Sequence, residues 1–239
     1  MNAVRGSSKI SGVKHSEQHS RFGALFKEFI LGGQDGLVNV LGVVLGVAVG
    51  TSDLKIIIIA GLAAAFAESF SMAAVAYTSV KAEEDYYNSQ LIRERYEVDN
   101  VPKVEEAEVR AIYYKKGFRG KLLNDIVKYI VSNKDTWVNI MMKEELGLTN
   151  EFIKPYRSAL VVGLAALIGS FIPLTAFFFV PIQTAIYISV VVSALALFIT
   201  GMAEAKINLA SWWKKGLELM LIGMSAAAIG FAVGKIFGG

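Results

Sequence analysis

Three side chains that could bind a metal cation, Asp35, Glu68 and Met72, fall within or at the edge of strongly apolar runs. A carboxylate inside a lipid bilayer is energetically costly, so it indicates a functional site where a partner neutralises the charge. Glu68 and Met72 are four residues apart, which places them on one face of a helix. Carboxylate oxygens and a thioether sulfur together suit a borderline divalent transition metal. The pattern predicts a metal-ion pathway in a membrane protein.

An interpretation without metal binding explains Asp35 more readily than it explains Glu68. Asp35 could lie at the headgroup level and cap a helix that begins at Gly36. Glu68 is in the middle of its apolar run, and the nearest basic residues along the chain, Lys55 and Lys81, lie at the two ends of that run. Its side chain must therefore be protonated, paired across helices or bound to a cation. A carboxylate that alternates between proton and metal is what a proton-coupled exchanger requires.

A second set of candidate ligands lies in the hydrophilic stretch 81–156, which contains 13 Lys/Arg and 14 Asp/Glu. Acidic residues recur there at a spacing of three along predicted helices, and a Met-Met pair precedes another glutamate. If these helices pack together, the side chains converge on an oxygen-rich cluster suited to Fe²⁺-like ions. The alternative, which the residues alone favour, is a solvated surface with the methionines in the core. The candidate ligands are Glu94, Glu97, Glu105, Glu108, Met141, Met142 and Glu145.

Apolar runs long enough to cross a bilayer predict the elements that position these residues. Hydrophobic residues make up 54% of the 239 residues, and the mean hydropathy of +0.48 exceeds that of an ordinary soluble domain. We predict an all-α polytopic membrane protein whose hydrophilic stretch forms helices over 81–99, 102–116 and 119–146. The five predicted spans are 28–51, 54–80, 157–179, 182–203 and 213–236. The predicted domains are a tail (1–26), spans one and two (27–80), a cytoplasmic helical metal-binding domain (81–156) and spans three to five (157–239).

The distribution of basic residues predicts the orientation of the chain. Of the 24 Lys/Arg, 22 lie in residues 1–27, 81–157 and 204–215, and only Lys55 and Lys235 lie on the opposite side. The N-terminus and the hydrophilic domain are therefore predicted to be cytoplasmic. The first 26 residues contain no long apolar segment typical of a cleavable secretory signal. The absence of cysteine excludes disulfides, zinc–thiolate sites and iron–sulfur clusters.

The first span contains a repeated small-xxx-small pattern at Gly42, Gly46 and Gly50. This spacing allows two helix backbones to approach closely. One interpretation is packing within the chain against the alanine-rich second span. The other is the contact surface of a homodimer, and the sequence leaves both open.

The chain resembles the vacuolar iron transporter family. The resemblance is carried by QDGLVNVLGVVLGV (34–47), AESFSMAAVAYTSV (67–80), GSFIPL (169–174) and GLELMLIGMSAAAIGFAVG (216–234). It implies a five-span homodimer that exchanges Fe²⁺, and often Mn²⁺, for protons and carries the metal out of the cytosol. It further implies a membrane site that includes Asp35 and Met72. It also implies that the glutamates and methionines of 81–156 bind metal, and this makes a metal-binding cluster the expected interpretation.

We therefore predict proton-coupled export of cytosolic divalent metal, with protons, metal ions, the lipid bilayer and a second copy of the chain as partners. No prosthetic group, nucleic-acid partner or enzymatic activity is predicted, because no nucleophile–base pair or cofactor motif is present. One alternative is a membrane-anchored metal sensor or buffer, and another is a passive cation channel. Since no sorting signal is visible, a prokaryotic plasma membrane is predicted as the location.

Overall fold

The computed structural model describes residues 18–150, 152–207 and 210–238, and this part of the chain is helical with short connections. A π-helical turn, Met141–Glu145, follows α5, and a 3-10 turn, Ala176–Phe178, follows α6. Residues 1–17 of the predicted tail lie outside the described residues. The α-helices are α1 (Gln18–Gly50), α2 (Leu54–Asn100), α3 (Pro102–Lys115), α4 (Gly120–Val131), α5 (Lys134–Ile140), α6 (Pro155–Thr175), α7 (Ile182–Ile207) and α8 (Trp212–Phe237).

Five of these helices contain segments long and apolar enough to cross a membrane. They are Leu25–Gly50, Leu54–Asn100, Pro155–Phe178, Ile182–Lys206 and Trp212–Phe237. The predictions of an all-α fold and of five candidate spans are thereby confirmed. In α2 the apolar run ends near Val80, and the remainder of the helix carries the charged residues of the hydrophilic stretch. The chain forms two compact units, divided after Ser69 and after Leu160.

In the first unit, glycines of α1 allow close contact with two other helices. A Cβ added at Gly36 would lie 2.1 Å from the Ala166 carbonyl oxygen of α6. Farther along α1, a Cβ added at Gly46 would lie 2.8 Å from the Gly230 carbonyl oxygen of α8, and one added at Gly234 would lie 2.0 Å from the Gly46 carbonyl oxygen. The small-xxx-small pattern of the first span therefore packs within the chain against the fifth span. The second span, which was the partner in one of the two interpretations left open by the sequence, is not the helix that these glycines contact.

Buried apolar side chains and serine hydroxyls hold the first unit together. Val40, Val44, Ile57, Leu174 and Phe177 are buried together from four different elements. Hydroxyls reach carbonyls of neighbouring helices, which satisfies polar groups where no water is available. Ser69 Oγ donates to the Gly163 carbonyl oxygen at 2.7 Å, and Ser170 Oγ donates to the Gly36 carbonyl oxygen at 3.2 Å. These bonds link α6 to the turns of α1 and α2 that carry Asp35 and Glu68.

The second unit contains the end of α2 together with α3, α4, α5 and the π-helical turn, packed around a core of its own. The core includes Val109, Val127, Trp137, Met141 and Met142. The chain turns at Gly117, Gly120 and Gly147, where φ is +101°, +58° and +66° and a residue with a Cβ would be strained. All three glycines had been predicted as helix boundaries.

The continuous helix predicted over 119–146 is wrong. The helix ends at Val131 and a new one begins at Lys134. Asn133 is the N-cap, and its side chain accepts a hydrogen bond from the Thr136 backbone N–H at 2.9 Å. Apolar residues continue at helical spacing on both sides of this break, and neither Gly nor Pro marks it. A cap by a single asparagine side chain therefore interrupts a helix that the hydrophobic periodicity alone predicts to be continuous.

Candidate metal sites

The first candidate site is formed by polar side chains on the apolar helices α1 and α2. Glu68 is half-buried on α2, and the Asp35 carboxyl of α1 is within hydrogen-bonding reach of it. Four residues after Asp35 on the same face of α1, Asn39 donates a hydrogen bond from Nδ2 to Glu68 Oε2. The structure therefore brings the two predicted carboxylates together, and it adds an amide to them.

Asn39 was not identified from the sequence. Its spacing of four from Asp35 is the signal that could have found it, because the two residues must share a face of α1. The amide carries both a donor and an acceptor. Its N–H stabilises a carboxylate, and its oxygen is a neutral ligand of the kind that divalent cations accept.

Met72 lies one helical turn after Glu68 along α2 and is half-buried. It belongs to the second of the two compact units, whereas Asp35 and Glu68 belong to the first. What relates Met72 to the carboxylates is its position four residues after Glu68 on the same continuous helix. Its assignment to the pathway stays a prediction.

Asp35 and Asn39 also line an open groove between α1 and α8. The groove has a volume of about 840 Å³. Apart from Thr51, its other walls are glycines and apolar side chains, among them Gly46, Val47 and Gly230. Both Asp35 and Asn39 are exposed on the surface of the single chain. In a bilayer, such exposure is costly unless another surface or water covers these groups.

The second candidate site is a pocket of about 210 Å³ in the second unit, which we call the glutamate pocket. The end of α2, the first turns of α3 and the π-helical turn build it. All five predicted glutamates line it, together with Gln90, Arg93, Val101, Val104 and Leu146. The glutamates are Glu94, Glu97, Glu105, Glu108 and Glu145. Helical spacing thus places two carboxylates of α2 and two of α3 against one from the π-helical turn.

Two of these glutamates are buried to an extent that carboxylates rarely show without a partner. Glu94 is 4% exposed and Glu105 is 3% exposed. The Oε2 atoms of both are buried without a hydrogen-bond partner. A buried carboxylate with an unsatisfied oxygen is destabilising unless it is protonated or bound to a cation. The glutamate pocket is therefore a candidate cation site.

Burial and mutual repulsion raise the pKa of these carboxyl groups. Burial is the largest cause for Glu105, and the charge of Glu108 follows, so that its pKa rises to about 7. The pKa of Glu145 is also raised, first by burial and then by Glu108 and Glu97, while Arg93 partly offsets the increase. At neutral pH the pocket therefore holds both protonated and ionised carboxyl groups, and a divalent cation would displace the protons.

Arg93 holds one of the carboxylates of the glutamate pocket. Its Nε lies 3.0 Å from Glu97 Oε1, an ion pair between residues four apart on α2. Within residues 18–150, 152–207 and 210–238, no three carboxylate or imidazole groups are close enough to form a ready-made metal cage. The five glutamates share a pocket, and binding of an ion would require their side chains to move inward.

Met141 and Met142 do not line the glutamate pocket. Both are buried at 1% exposure or less, within the apolar core that also contains Trp137 and Val138. They belong to the same π-helical turn as Glu145. π-helical turns are rare and occur frequently at functional sites. The role of the two methionines as ligands stays a prediction, since their observed contacts are those of core residues.

Comparison with known proteins identifies the relatives of this chain. The VIT family matches residues 26–235. A vacuolar iron transporter of Centaurea cyanus is 34% identical over 98% of this chain and 97% of its own length. Vacuolar iron transporter 1 of Tulipa gesneriana is 31% identical over 93% of this chain and 91% of its own length. A vacuolar iron transporter of Plasmodium falciparum is 29% identical over 93% of this chain and 86% of its own length.

These relatives settle three of the predictions. They are named as transporters and not as enzymes, which confirms that the chain is not an enzyme. They are named as vacuolar proteins of eukaryotes, so the predicted location in a prokaryotic plasma membrane is wrong. That prediction relied on the lack of a visible sorting signal, which carries no positive information about a membrane. The predicted resemblance is confirmed over nearly the whole chain, and the chain belongs to the VIT family.

Proposed function

We propose that this protein transports divalent metal, Fe²⁺ and also Mn²⁺, out of the cytosol in exchange for protons. The names of its relatives support iron as the cargo. The metal is a transported ion in this proposal, and no prosthetic group takes part. Fe²⁺ and Mn²⁺ are close in ligand preference, so the same oxygen-rich sites accept both.

The observation that carries the proposal is the meeting of Asp35, Asn39 and Glu68 on the apolar helices α1 and α2. Two carboxyl groups placed side by side repel each other when both are ionised, and a bilayer increases that cost. Binding of a divalent cation removes the repulsion, and binding of protons does so as well. Because metal and protons compete for one pair of carboxyl groups, the movement of metal is coupled to the movement of protons. We include Met72 as a soft ligand of the same pathway.

We further propose that the glutamate pocket collects metal on the cytosolic side. The excess of Lys/Arg in the tail and in 81–156 supports a cytoplasmic N-terminus and a cytoplasmic metal-binding domain. The domain boundaries proposed from the sequence, 1–26, 27–80, 81–156 and 157–239, follow the same division. Glu94, Glu97, Glu105, Glu108 and Glu145 bind the ion, and Met141 and Met142 act as soft ligands if the core opens.

The working unit in this proposal is a homodimer. The groove along α1 leaves Asp35 and Asn39 exposed on a helix that lies in the membrane. A second copy packed along the same groove would cover these polar groups and enclose an ion path between two bundles. The small and apolar residues that line the groove suit contact with another helix in lipid.

The test is metal flux through purified protein in liposomes with an imposed pH gradient, with proton movement recorded by an internal pH dye. Wild-type protein is expected to move Mn²⁺ and protons in opposite directions. Asp35→Asn and Glu68→Gln are expected to abolish both movements. Glu218→Gln is the matched control, because it removes an exposed carboxylate that pairs with Lys215 and lies outside both sites. Wild-type flux in the Asp35 and Glu68 variants would contradict the pathway.

The same assay separates the proposal from the two alternatives. A sensor or buffer would bind Mn²⁺ but would show no flux under any gradient. A passive channel would move Mn²⁺ without counter-movement of protons, and its flux would not respond to an imposed pH gradient at zero membrane potential.

A further inference from the structure

We infer that Arg93 is a tethered cation that competes with metal for the glutamate pocket and keeps its affinity low enough for the metal to be passed on. The inference rests on the proposed function of the pocket as a metal-collecting site. Among the described residues that line the pocket, Arg93 is the only basic one, and it stands against five glutamates.

The position of Arg93 makes it a competitor. Its guanidinium pairs with Glu97 at 3.0 Å, and its charge also acts on Glu94 and Glu145. An arginine remains protonated at every physiological pH, so this positive charge is permanent. An incoming metal ion must take Glu97 from Arg93 before Glu97 can serve as a ligand.

Arg93 can move aside without disturbing the fold. Its side chain is 66% exposed, whereas that of Glu97 is 28% exposed. An exposed ion pair of this kind contributes little to stability, so its rupture by a divalent cation costs little. The guanidinium can then rotate into solvent along its flexible stem. When the ion leaves, the pair with Glu97 can form again and oppose recapture.

The expected size of the effect follows from electrostatics. A unit charge about 6 Å from a divalent ion weakens binding about tenfold in a water-like dielectric. Screening at physiological ionic strength reduces that factor to about threefold. Removal of the guanidinium should therefore tighten binding about three- to tenfold, with the larger value at low salt.

The experiment compares Mn²⁺ binding by purified full-length protein in detergent micelles, using calorimetry for the affinity and rapid mixing with a chelator for the release rate. Arg93→Gln is expected to bind Mn²⁺ about three- to tenfold more tightly and to release it more slowly. Arg95→Gln is the matched control. This substitution removes the same charge two residues away on the same helix. Arg95, however, pairs with Asp135 and does not line the pocket. Arg93→Lys keeps the charge and should resemble the wild type.

Unchanged or weaker binding by Arg93→Gln would overturn the inference, and so would equal tightening by Arg95→Gln. Thermal unfolding of each metal-free variant shows whether Arg93 has a structural role, which would lower the midpoint without tightening metal binding. Glu105→Gln separates this inference from the proposed function. If Glu105→Gln leaves Mn²⁺ binding unchanged, the pocket is not the metal site. If Glu105→Gln weakens binding and Arg93→Gln has no effect, only the role of Arg93 fails.

Discussion

Lowering the pH from 8 to 6 should weaken metal binding at the glutamate pocket at least tenfold. The pKa of Glu105 is raised to about 7 by burial and by neighbouring carboxylates. At pH 6 about nine-tenths of such a group is protonated, and at pH 8 only about one-tenth. Because a carboxylate must lose its proton to bind metal, one such group changes the affinity about tenfold over this interval. The raised pKa of Glu145 increases the change further.

Calorimetry with Mn²⁺ measures this effect directly. Titrations of the full-length protein in buffers with different heats of ionisation count the protons released for each ion bound. At pH 7 we expect each bound ion to release between a fraction of a proton and somewhat more than one proton. This number should decrease toward pH 8. Glu105→Gln should weaken binding and also reduce its dependence on pH, because the group that titrates near 7 has been removed. Equal affinities at pH 6 and pH 8, with no proton release, would refute the reasoning.

The same pKa makes a separate prediction for stability without metal. The pKa of Glu105 is higher in the folded protein than its usual value of 4.5. The folded state therefore binds this proton more tightly than the unfolded state does, and the contribution to stability is complete below pH 4.5. It is lost as the pH rises through 7, so the metal-free protein should unfold at a lower temperature at pH 8 than at pH 6. Saturating Mn²⁺ should restore the midpoint at pH 8, since the ion replaces the protons.

Three substitutions test other parts of the structure. Gly234→Ala should destabilise the first unit by about 1–3 kcal/mol, because the added methyl group clashes with α1. The measurement is the unfolding midpoint in detergent, which should fall. Gly23→Ala is the control and should leave the midpoint unchanged, because Gly23 has open space around it. Asn133→Ala should cost about 1 kcal/mol through loss of the α5 cap, measured by chemical unfolding, and an unchanged midpoint would contradict its role. Asn39→Ala removes the hydrogen bond to Glu68 and should slow metal flux in liposomes about tenfold, whereas wild-type flux would exclude Asn39 from the pathway.

The sequence predicted the membrane-spanning helices well because each is a long apolar run with charged residues or a tight turn at its ends. The turn at 51–53 is an example, since Asp53 Oδ1 accepts a hydrogen bond from the Lys55 backbone N–H at 2.8 Å and starts α2. The partners of each span were not predictable in this way. Gly42, Gly46 and Gly50 indicate that a helix packs closely there, but several spans are rich in small residues. Only the three-dimensional structure shows that α8 is the partner.

The candidate sites were predictable to the extent that helical periodicity determines them. Spacings of three place Glu94 with Glu97 and Glu105 with Glu108, and the structure gathers both pairs at one pocket. Periodicity did not reveal the π-helical turn that carries Glu145, because one additional residue per turn leaves no compositional mark. The ion pair between Arg93 and Glu97 was predictable, because the two residues are four apart on one helix.

The two candidate sites differ in what they need beyond the single chain, and this difference bears on how the protein works. The glutamate pocket is lined by residues of one chain, and its deepest carboxylates, Glu94 and Glu105, are already buried. Asp35 and Asn39, in contrast, are exposed along an open groove on a membrane helix. Exposure to lipid would penalise these groups strongly, whereas exposure to a second protein surface and a path for ions would not. In the proposed function, metal collection is therefore a property that one chain can have alone, whereas passage through the membrane requires that the groove be covered.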